Sequence, residues 1–366
     1  MVTNGQSIKP RVAILIEQKV EDVEFQIPYN ALKKAGAEVV VLGSRVNEEY
    51  KGKQGELSIK ADATPTESRA SDFAAVIIPG GMAPDKMRTN MKTVRFVQDA
   101  IDQGIVVAAV CHGPQLLIEG DLLRDKKATG FRSIRKDMQN AGAEYIDAPI
   151  VIDGNLITSR RPGDLPIFTA AILQNLGLSV PDTTLPDIHN RDAGWWKLGE
   201  QWGGSSKNEI VSGINTAIAG ERYGHEAFER YAEQVASDEA RAIFRGICTN
   251  KQRHLQKLEQ RLAILDESRS LPATASGAYA VLKSWLQINN SDIDILRRAL
   301  GDLQTGIVDT DNLTVKFTDP ATTEIFSEME VTIAQDEQHV ADLYHRLLAN
   351  AEVQPPKPTS GAAVSA

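Results

Sequence analysis

One short stretch restricts the fold of this chain more than any other. Residues 106–114 read VVAAVCHGP, so five apolar residues run directly into a cysteine and a glycine follows two positions later. Such an uninterrupted apolar run is typical of a parallel strand that is buried on both faces of a sheet. The small residues Ala109 and Gly113 leave room for a sharp turn from this strand into a helix. The stretch therefore predicts an α/β fold in which a central strand ends at Cys111.

Cys111 has two interpretations at this turn. A thiol at the N-terminus of a helix lies in a positive field and near free backbone N–H groups, which favour the thiolate. Alternatively, the residue is a small buried hydrophobe that closes the strand, as free cysteines often are. We favour the first interpretation, which makes Cys111 the candidate nucleophile.

The rest of residues 11–178 alternates between strand and helix patterns. Apolar runs at 12–16, 38–42 and 74–79 are separated by amphipathic segments, and an Asp153-Gly154 turn indicates a hairpin near the end of this half. Repeated strand-helix units predict a mostly parallel sheet covered on both faces. The functional site of such a sheet lies at the carboxyl ends of its strands.

Candidate functional groups also follow the carboxyl ends of two other predicted strands. Gly80 and Gly81 follow the third strand, where backbone N–H groups can form an oxyanion hole. The acidic residues 21–24 (EDVE) follow the first strand, and Glu24 is placed to exchange a proton with Cys111. The alternative for this acidic cluster is simple compensation of the helix dipole.

The second half has a different character. Residues 179–207 contain three of the four tryptophans and predict a linker whose aromatic rings pack against one or both domains. Residues 208–350 are helical in pattern and predict a four-helix bundle. The segments expected to be its helices are 209–235, 238–267, 276–304 and 320–348. Residues 1–10 and 351–366 are expected to be tails, the second one disordered.

Ionisable residues lie on the apolar stripes of these four helices, where a buried charge is costly unless it is paired or bound to a metal. The candidate metal ligands are Glu221, His254, Asp302, Asp336 and His339. Lys251 lies on the same stripe as His254, and a salt bridge from Lys251 to Glu221 is the competing arrangement.

Several motifs of the first half resemble the DJ-1/PfpI superfamily in its PfpI (intracellular protease I-like) branch. The motifs are residues 21–24 (EDVE), 79–85 (PGGMAPD), 109–115 (AVCHGPQ), 140–143 (NAGA) and 158–165 (TSRRPGDL). The resemblance implies a flavodoxin-like (class I glutamine amidotransferase-like) α/β sandwich. It also implies Cys111 as nucleophile, Glu24 as the neighbouring carboxylate and His112 as the adjacent base or orienting group. Asp85 matches the glutamate that a neighbouring subunit adds to a triad in this branch, shortened here by one methylene.

Activities associated with this superfamily are peptidase, glyoxalase and deglycase. Because Asp85 is shortened, the expectation is a cytoplasmic stress-response enzyme that acts on reactive carbonyls or damaged proteins without a cofactor in this domain. The alternatives are a cysteine peptidase with a Cys111-His112-Asp85 triad between subunits, and a redox sensor or scaffold without turnover.

The second half resembles the ferritin-like superfamily, with rubrerythrin-type helices. The resemblance rests on residues 217–221 (AIAGE), 243–245 (IFR) with His254, and 336–339 (DEQH). It implies an all-α ferritin-like bundle with a di-iron or di-manganese centre. The ligand pattern departs from the family because Lys251 replaces one ligand and two others are aspartates, which leaves a metal-free bundle or a mononuclear site as alternatives.

The overall charge of the chain limits its partners. A formal net charge of −9 argues against nucleic acid or an anionic membrane surface as a binding partner.

The sequence starts without a secretory signal pattern, and its two cysteines, Cys111 and Cys248, are far apart. This combination predicts free thiols in a reducing cytoplasm. The expected partners are a small carbonyl or peptide substrate and further copies of the chain.

Overall fold

The computed structural model describes residues 9–267 and 291–353, and these divide into two compact units. The first unit extends to Ile210 and also contains Thr314–Glu324. The second unit is built from Val211–Leu313 and from the chain after Ile325. The sequence-based boundary at residue 208 is close to the first of these divisions, but the return of Thr314–Glu324 to the first unit was not expected.

The strands and helices of the first unit follow the predicted alternation. The strands are β1 (Arg11–Leu15), β2 (Glu38–Leu42), β3 (Glu49–Lys51), β4 (Ser58–Lys60), β5 (Ala75–Ile78), β6 (Val106–Val110), β7 (Lys127–Ala128), β8 (Glu144–Tyr145), β9 (Ile150–Asp153) and β10 (Leu156–Ser159). The helices are α1 (Asp22–Lys34), α2 (Ala83–Met87), α3 (Met91–Asp102), α4 (Pro114–Glu119), α5 (Arg135–Asn140), α6 (Leu165–Asn175) and α7 (Trp195–Gln201).

A six-stranded sheet forms the centre of this unit, in the order β2-β1-β5-β6-β10-β9. All neighbours are parallel except β9 and β10, which form the predicted hairpin across the Asp153-Gly154 turn. Without the edge strand β9, this is the order of a flavodoxin-like sheet, whose ligands bind where the strand order reverses. The predicted α/β fold is therefore confirmed.

The sheet is covered on both faces. Every residue of β5 and of β6 is buried, although successive side chains of a strand point to opposite faces. Helix α1 packs against α6, and α3 packs against α4. The carboxyl ends of β1, β5 and β6 are in register, with Ile14 beside Ile77 and Ile78 beside Ala109, so the residues after these strands meet at one edge.

The tryptophan-rich stretch 179–207 is part of the first unit and not a linker between domains. Trp195 and Trp202 are fully buried in its hydrophobic core. Trp195 is the first residue of α7, and Trp202 directly follows its last residue. The Nε1 of Trp195 donates a hydrogen bond to the carbonyl of Asn190 at 2.8 Å. The expected packing of these rings is confirmed, because large aromatic surfaces are stabilised by burial.

The segment Thr314–Glu324 is held in the first unit by polar contacts. The Thr318 N–H donates a hydrogen bond to Ser205 Oγ at 3.2 Å, and the Ser205 N–H donates one to Thr318 Oγ1 at 2.7 Å. Glu324 accepts hydrogen bonds from Arg160 at 2.8 Å and from Arg161 at 2.6 Å. These two arginines are buried, so the carboxylate of Glu324 neutralises charge that has little access to water.

The second unit is helical in its described part, as predicted. Its helices are α8 (Lys207–Gln234), α9 (Asp238–Ile264), α10 (Asp292–Lys316) and α11 (Pro320–Val353), of which α8, α10 and α11 begin or end in the first unit. Its apolar core contains Phe228, Phe244, Leu296 and Val340 from the four helices.

Some sequence predictions fall outside the described residues. These are most of the N-terminal tail, the part of the predicted third helix before residue 291, and the predicted C-terminal tail after residue 353. Residues 351–353, which were expected to be disordered, continue α11. Among the described helices, none combines the length and apolar character that a membrane-spanning segment needs.

Candidate active site

Cys111 lies at the turn between β6 and α4 with a φ of 60°. This left-handed conformation is uncommon for a residue with a side chain and is found mainly where surrounding structure enforces it. The Cys111 N–H donates to the carbonyl of Ser159 at 3.1 Å, and its own carbonyl accepts from Phe131 at 2.8 Å. A Cβ on Gly113 would lie 2.4 Å from the carbonyl of Ile78, so the turn requires glycine there. The predicted nucleophile elbow is therefore present.

Glu24 lies fully buried on α1 beside Cys111, as the resemblance implied. Its Oε2 accepts a hydrogen bond from the Gly80 N–H at 2.7 Å. Its Oε1 is buried without a hydrogen-bond partner of good geometry, and the carboxyl group interacts with the Cys111 thiol. Burial, reinforced by the charge of Glu21, raises the pKa of Glu24 to about 8. Glu24 is therefore protonated at neutral pH and can donate a proton.

Gly80 has a different role from the predicted one. Its N–H is taken by Glu24, so the expectation that both glycine amides face a ligand is wrong for Gly80. A Cβ at Gly80 would lie 2.6 Å from Glu24 Oε2, 2.7 Å from the backbone nitrogen of His112 and 2.8 Å from Cys111 Cβ. Gly80 thus allows the Glu24 carboxyl to approach the turn that carries Cys111.

Gly81, with a φ of 76°, directs its N–H toward the Cys111 sulfur. This contact lowers the pKa of the thiol, but burial and the nearby Glu24 carboxyl outweigh it and hold the pKa of Cys111 well above its ordinary value. The sequence-based expectation of a thiolate stabilised by a helix N-terminus therefore differs from the structure. The physical reason is that the thiol is desolvated and lies beside the Glu24 carboxyl, and both effects disfavour the thiolate.

His112 is placed to take the proton of the thiol. Its Nδ1 is 3.3 Å from the Cys111 sulfur and its Nε2 is 3.2 Å from the Oγ of Ser133. The ring stacks on Phe131 with 5.1 Å between ring centroids. Burial, together with the positive charge of Lys53, lowers the pKa of His112, which keeps the imidazole neutral and able to accept a proton.

Ser133 and Phe131 are the orienting groups that the sequence analysis missed. Both lie in the loop between β7 and α5, and Phe131 is tied to the elbow through the carbonyl of Cys111. No motif marked them, because their position beside His112 depends on how this loop returns to the edge of the sheet.

Asp85 does not reach His112 within this chain. It is exposed on α2, and the Nε2 of His112 faces Ser133 instead. A Cys111-His112-Asp85 triad is therefore not formed within one copy of the chain, and the predicted triad requires a second copy.

Asp22 is more than a dipole-compensating charge. Its Oδ1 accepts the N–H groups of Glu56 and Leu57 at 2.8 Å and 2.7 Å, and its Oδ2 accepts the N–H of Gln54 at 2.8 Å. Lys53 in the same loop forms an ion pair of 3.2 Å with Glu21. Asp22 therefore fixes the loop that carries Lys53, whose charge acts on both Glu24 and His112.

The predicted metal ligands of the bundle do not form a metal site among the described residues. Across those residues, no group of three or more His, Cys, Asp and Glu side chains has an arrangement that fits a metal ion. Glu221 is bonded to Lys251 and His254, Asp302 accepts a hydrogen bond from Tyr231, and Asp336 accepts one from Asn250. His339 is exposed, so the helix does not present it to the core together with Asp336. The predicted donor set is thus not assembled.

Comparison with known proteins identifies the first unit. Residues 10–175 match the model of the DJ-1/PfpI family. Over 166 residues the chain is 42% identical to the putative cysteine protease YraA of Bacillus subtilis. This alignment covers 45% of this chain and 98% of that protein. Over 168 residues it is 41% identical to protein/nucleic acid deglycase 2 of Escherichia coli. This alignment covers 46% of this chain and 98% of that protein.

Similarity to one solved structure extends through both units. A crystal structure of a two-domain protein from Anabaena variabilis contains DJ-1/ThiJ/PfpI-like and ferritin-like domains. It matches with a TM-score of 0.87 and 58% identity, covering 96% of this chain and 100% of that chain. The helical second half is therefore similar to a ferritin-like domain, as the sequence indicated.

Proposed function

This chain belongs to the DJ-1/PfpI family through residues 10–175, and we propose that it is a cysteine-dependent enzyme acting on reactive carbonyls. The substrates we propose are small dicarbonyls, or the adducts that such compounds form on damaged proteins. This is a glyoxalase- or deglycase-like activity, which we place in the stress response of the cytoplasm. The observation that carries the proposal is the pairing of the Cys111 thiol with a protonated Glu24 on one side and a neutral His112 on the other.

This pairing suits addition to a carbonyl. In the proposed first step, the Nδ1 of His112 accepts the thiol proton while the sulfur forms a bond to the aldehyde carbon. The electron pair of the C=O bond moves to oxygen, and Glu24 donates its proton there. The product is a thiohemiacetal on Cys111, and Glu24 becomes a carboxylate. A pKa of about 8 suits Glu24 to this exchange near neutral pH.

With a dicarbonyl substrate the reaction can proceed without an external oxidant. The carboxylate of Glu24 removes the hydrogen of the former aldehyde carbon as a proton, and the neighbouring carbonyl oxygen takes from His112 the proton that came from the thiol, which leaves an enediol and a neutral imidazole. Glu24 then gives its proton to the neighbouring carbon and accepts the hydroxyl proton of the former aldehyde carbon, so that the carboxylic acid is restored. The first carbon is thereby oxidised to a thioester and the second is reduced to an alcohol. Water, deprotonated by His112, then cleaves the thioester, which restores the Cys111 thiol and releases a 2-hydroxy acid.

Peptide hydrolysis is the second candidate, supported by the name of the Bacillus relative as a putative cysteine protease. The name of the Escherichia relative as a deglycase supports carbonyl chemistry instead. We favour carbonyl chemistry because the partner of His112 within the chain is the Ser133 hydroxyl, which stabilises an imidazolium less than a carboxylate does. A peptidase would need Asp85 from a second copy in a homo-oligomer.

Three variants test the proposal in the intact 366-residue chain. We expect Cys111→Ser to abolish consumption of methylglyoxal and formation of lactate, whereas Cys248→Ser, in the other unit, serves as the matched control with unchanged turnover. Equal turnover in Cys111→Ser and the parent would refute carbonyl chemistry at this site. Loss of peptide hydrolysis in Asp85→Ala, with dicarbonyl turnover absent from the parent, would favour the peptidase. A peroxide-dependent mass increase at Cys111 without turnover of either substrate would favour a redox sensor.

A further inference from the structure

The core of the bundle contains a cluster of three buried ionisable residues, Glu221 on α8 and Lys251 and His254 on α9. They are 5%, 6% and 4% exposed. The Nζ of Lys251 donates to Glu221 Oε1 at 3.1 Å, and the Nδ1 of His254 donates to Glu221 Oε2 at 2.8 Å. Lys251 and His254 are three residues apart and therefore share one face of α9.

These contacts leave Glu221 poorly suited to bind a metal. Each of its oxygens already accepts a hydrogen bond, and one of the donors is an ammonium group, which would repel a metal cation at the same oxygen. The other two acidic residues among the predicted ligands are engaged separately. Both oxygens of Asp336 accept the Asn250 Nδ2, at 2.9 Å and 3.1 Å, and Asp302 accepts the Tyr231 hydroxyl at 2.8 Å.

The backbone of α8 accommodates Lys251. A Cβ at Gly224 would lie 2.7 Å from Cε and 2.8 Å from Nζ of Lys251, so the lysine side chain occupies the space that any larger residue would fill. The charge of Lys251 acts on Glu221, Asp302 and Asp336 alike. One ammonium group therefore provides positive charge to acidic residues of three helices, as a bound metal would in a metal-containing bundle.

We propose that Lys251 replaces the metal of this bundle, and that the Lys251-Glu221-His254 cluster is a permanent metal-free charge centre. The residues present do not fit a di-iron or di-manganese centre, and the departure at Lys251 is the one that places a cation among the predicted ligands. Lys251 stands where a Glu-x-x-His pair would have its glutamate. The bundle is then an architectural unit, and this conclusion does not depend on the chemistry of Cys111.

The substitution Lys251→Glu tests the proposal, because it restores a Glu-x-x-His pair and removes the cation. The parent and the variant, each with both units present, are purified without chelator, stripped with EDTA, incubated with Fe²⁺ or Mn²⁺ without oxygen and desalted. The readouts are metal per chain by elemental analysis and the shift of the thermal midpoint on adding metal. Lys257→Glu, with the same charge change at a partly exposed position of α9 that is paired with Glu328, is the matched control.

We expect background metal and an unmoved midpoint for the parent and for Lys257→Glu, and stoichiometric metal with a raised midpoint for Lys251→Glu. Stoichiometric metal in the parent would overturn the proposal directly. A folded Lys251→Glu that keeps no metal would also overturn it, since Lys251 would not be what excludes the ion. If Lys251→Glu does not fold, Lys251→Gln replaces it, and retention of more metal by this variant than by the parent is the expected result; equal background retention contradicts the proposal.

Discussion

Replacing Glu24 by glutamine should separate the stability of the first unit from its chemistry. Glutamine has nearly the same volume as glutamate, and its side-chain oxygen can still accept the Gly80 N–H that Glu24 Oε2 accepts at 2.7 Å. It cannot ionise or exchange a proton with Cys111. The variant therefore isolates the energetic consequence of burying a titratable group at this position.

The magnitude follows from the raised pKa of Glu24. The carboxyl titrates near 4.5 in the unfolded chain and at about 8 in the folded one. Below pH 4.5 both states hold the proton, but between these values only the folded state does, so stability falls as pH rises. At about 1.4 kcal/mol per pH unit, the full interval from 4.5 to about 8 amounts to about 5 kcal/mol. Above pH 8 this dependence ends.

Glu24→Gln should lack this dependence. The variant should therefore gain stability relative to the parent with a slope of about 1.4 kcal/mol per pH unit, or about 3 kcal/mol between about pH 5 and pH 7.5. It should at the same time lose carbonyl turnover. Urea unfolding followed by tryptophan fluorescence measures the gain in the first unit, because Trp195 and Trp202 are buried in its core.

The experiment is cleanest in a Cys111→Ser background, where the neighbouring thiol no longer titrates. Glu56→Gln is a matched control, because Glu56 is exposed in the same unit. A stability difference between Glu24→Gln and its parent that does not change with pH would refute the reasoning. It would mean that Glu24 is ionised in the folded protein at neutral pH and cannot act as a proton donor.

Three further predictions concern packing and buried charge in the two units. Gly80→Ala should lower the stability of the first unit by about 1–3 kcal/mol and slow the labelling of Cys111 by iodoacetamide, since the new methyl group would displace Glu24 or the elbow. Gly246→Ala, at a helix position with open space, should instead raise stability by up to about 1 kcal/mol, and equal effects of the two changes in urea unfolding would contradict this account. Glu324→Gln should destabilise the first unit by about 1–3 kcal/mol, because it removes the negative charge shared by two buried arginines; no change in the urea midpoint would show that Asp164 and Asp147 suffice for them.

Much of the first unit could be predicted from local patterns. The strand before Cys111 and the turn after it have few alternatives, because a buried parallel strand and a strained left-handed residue place strong demands on residue size. Glu24 and Gly80 were also found, since they follow neighbouring strands whose carboxyl ends must meet. The predicted role of Gly80 is wrong because a shift of a few ångströms determines whether its N–H bonds to Glu24 or faces a ligand.

Long-range contacts were harder to predict. Ser133 reaches His112 from a loop without a motif, and the stretch 179–207 joins the first unit because Trp195 and Trp202 find space in its core. The return of Thr314–Glu324 rests on pairings such as Arg160 with Glu324, which are 164 residues apart. No periodicity connects such positions, and the contacts exist only when the chain has folded.

The α/β fold, the helical second half and the position of Cys111 follow from the amino-acid pattern, because hydrophobic periodicity and small-residue turns are local properties. The protonation of the candidate site and the residues that fill the bundle core depend on tertiary packing. Burial raises the pKa of Glu24 and of Cys111, and the packing of α8 against α9 places Lys251 on Glu221. Desolvation and charge pairing depend on what surrounds a group in three dimensions. They set the protonation of Glu24 and Cys111 in the first unit and the pairing of Lys251 with Glu221 in the second.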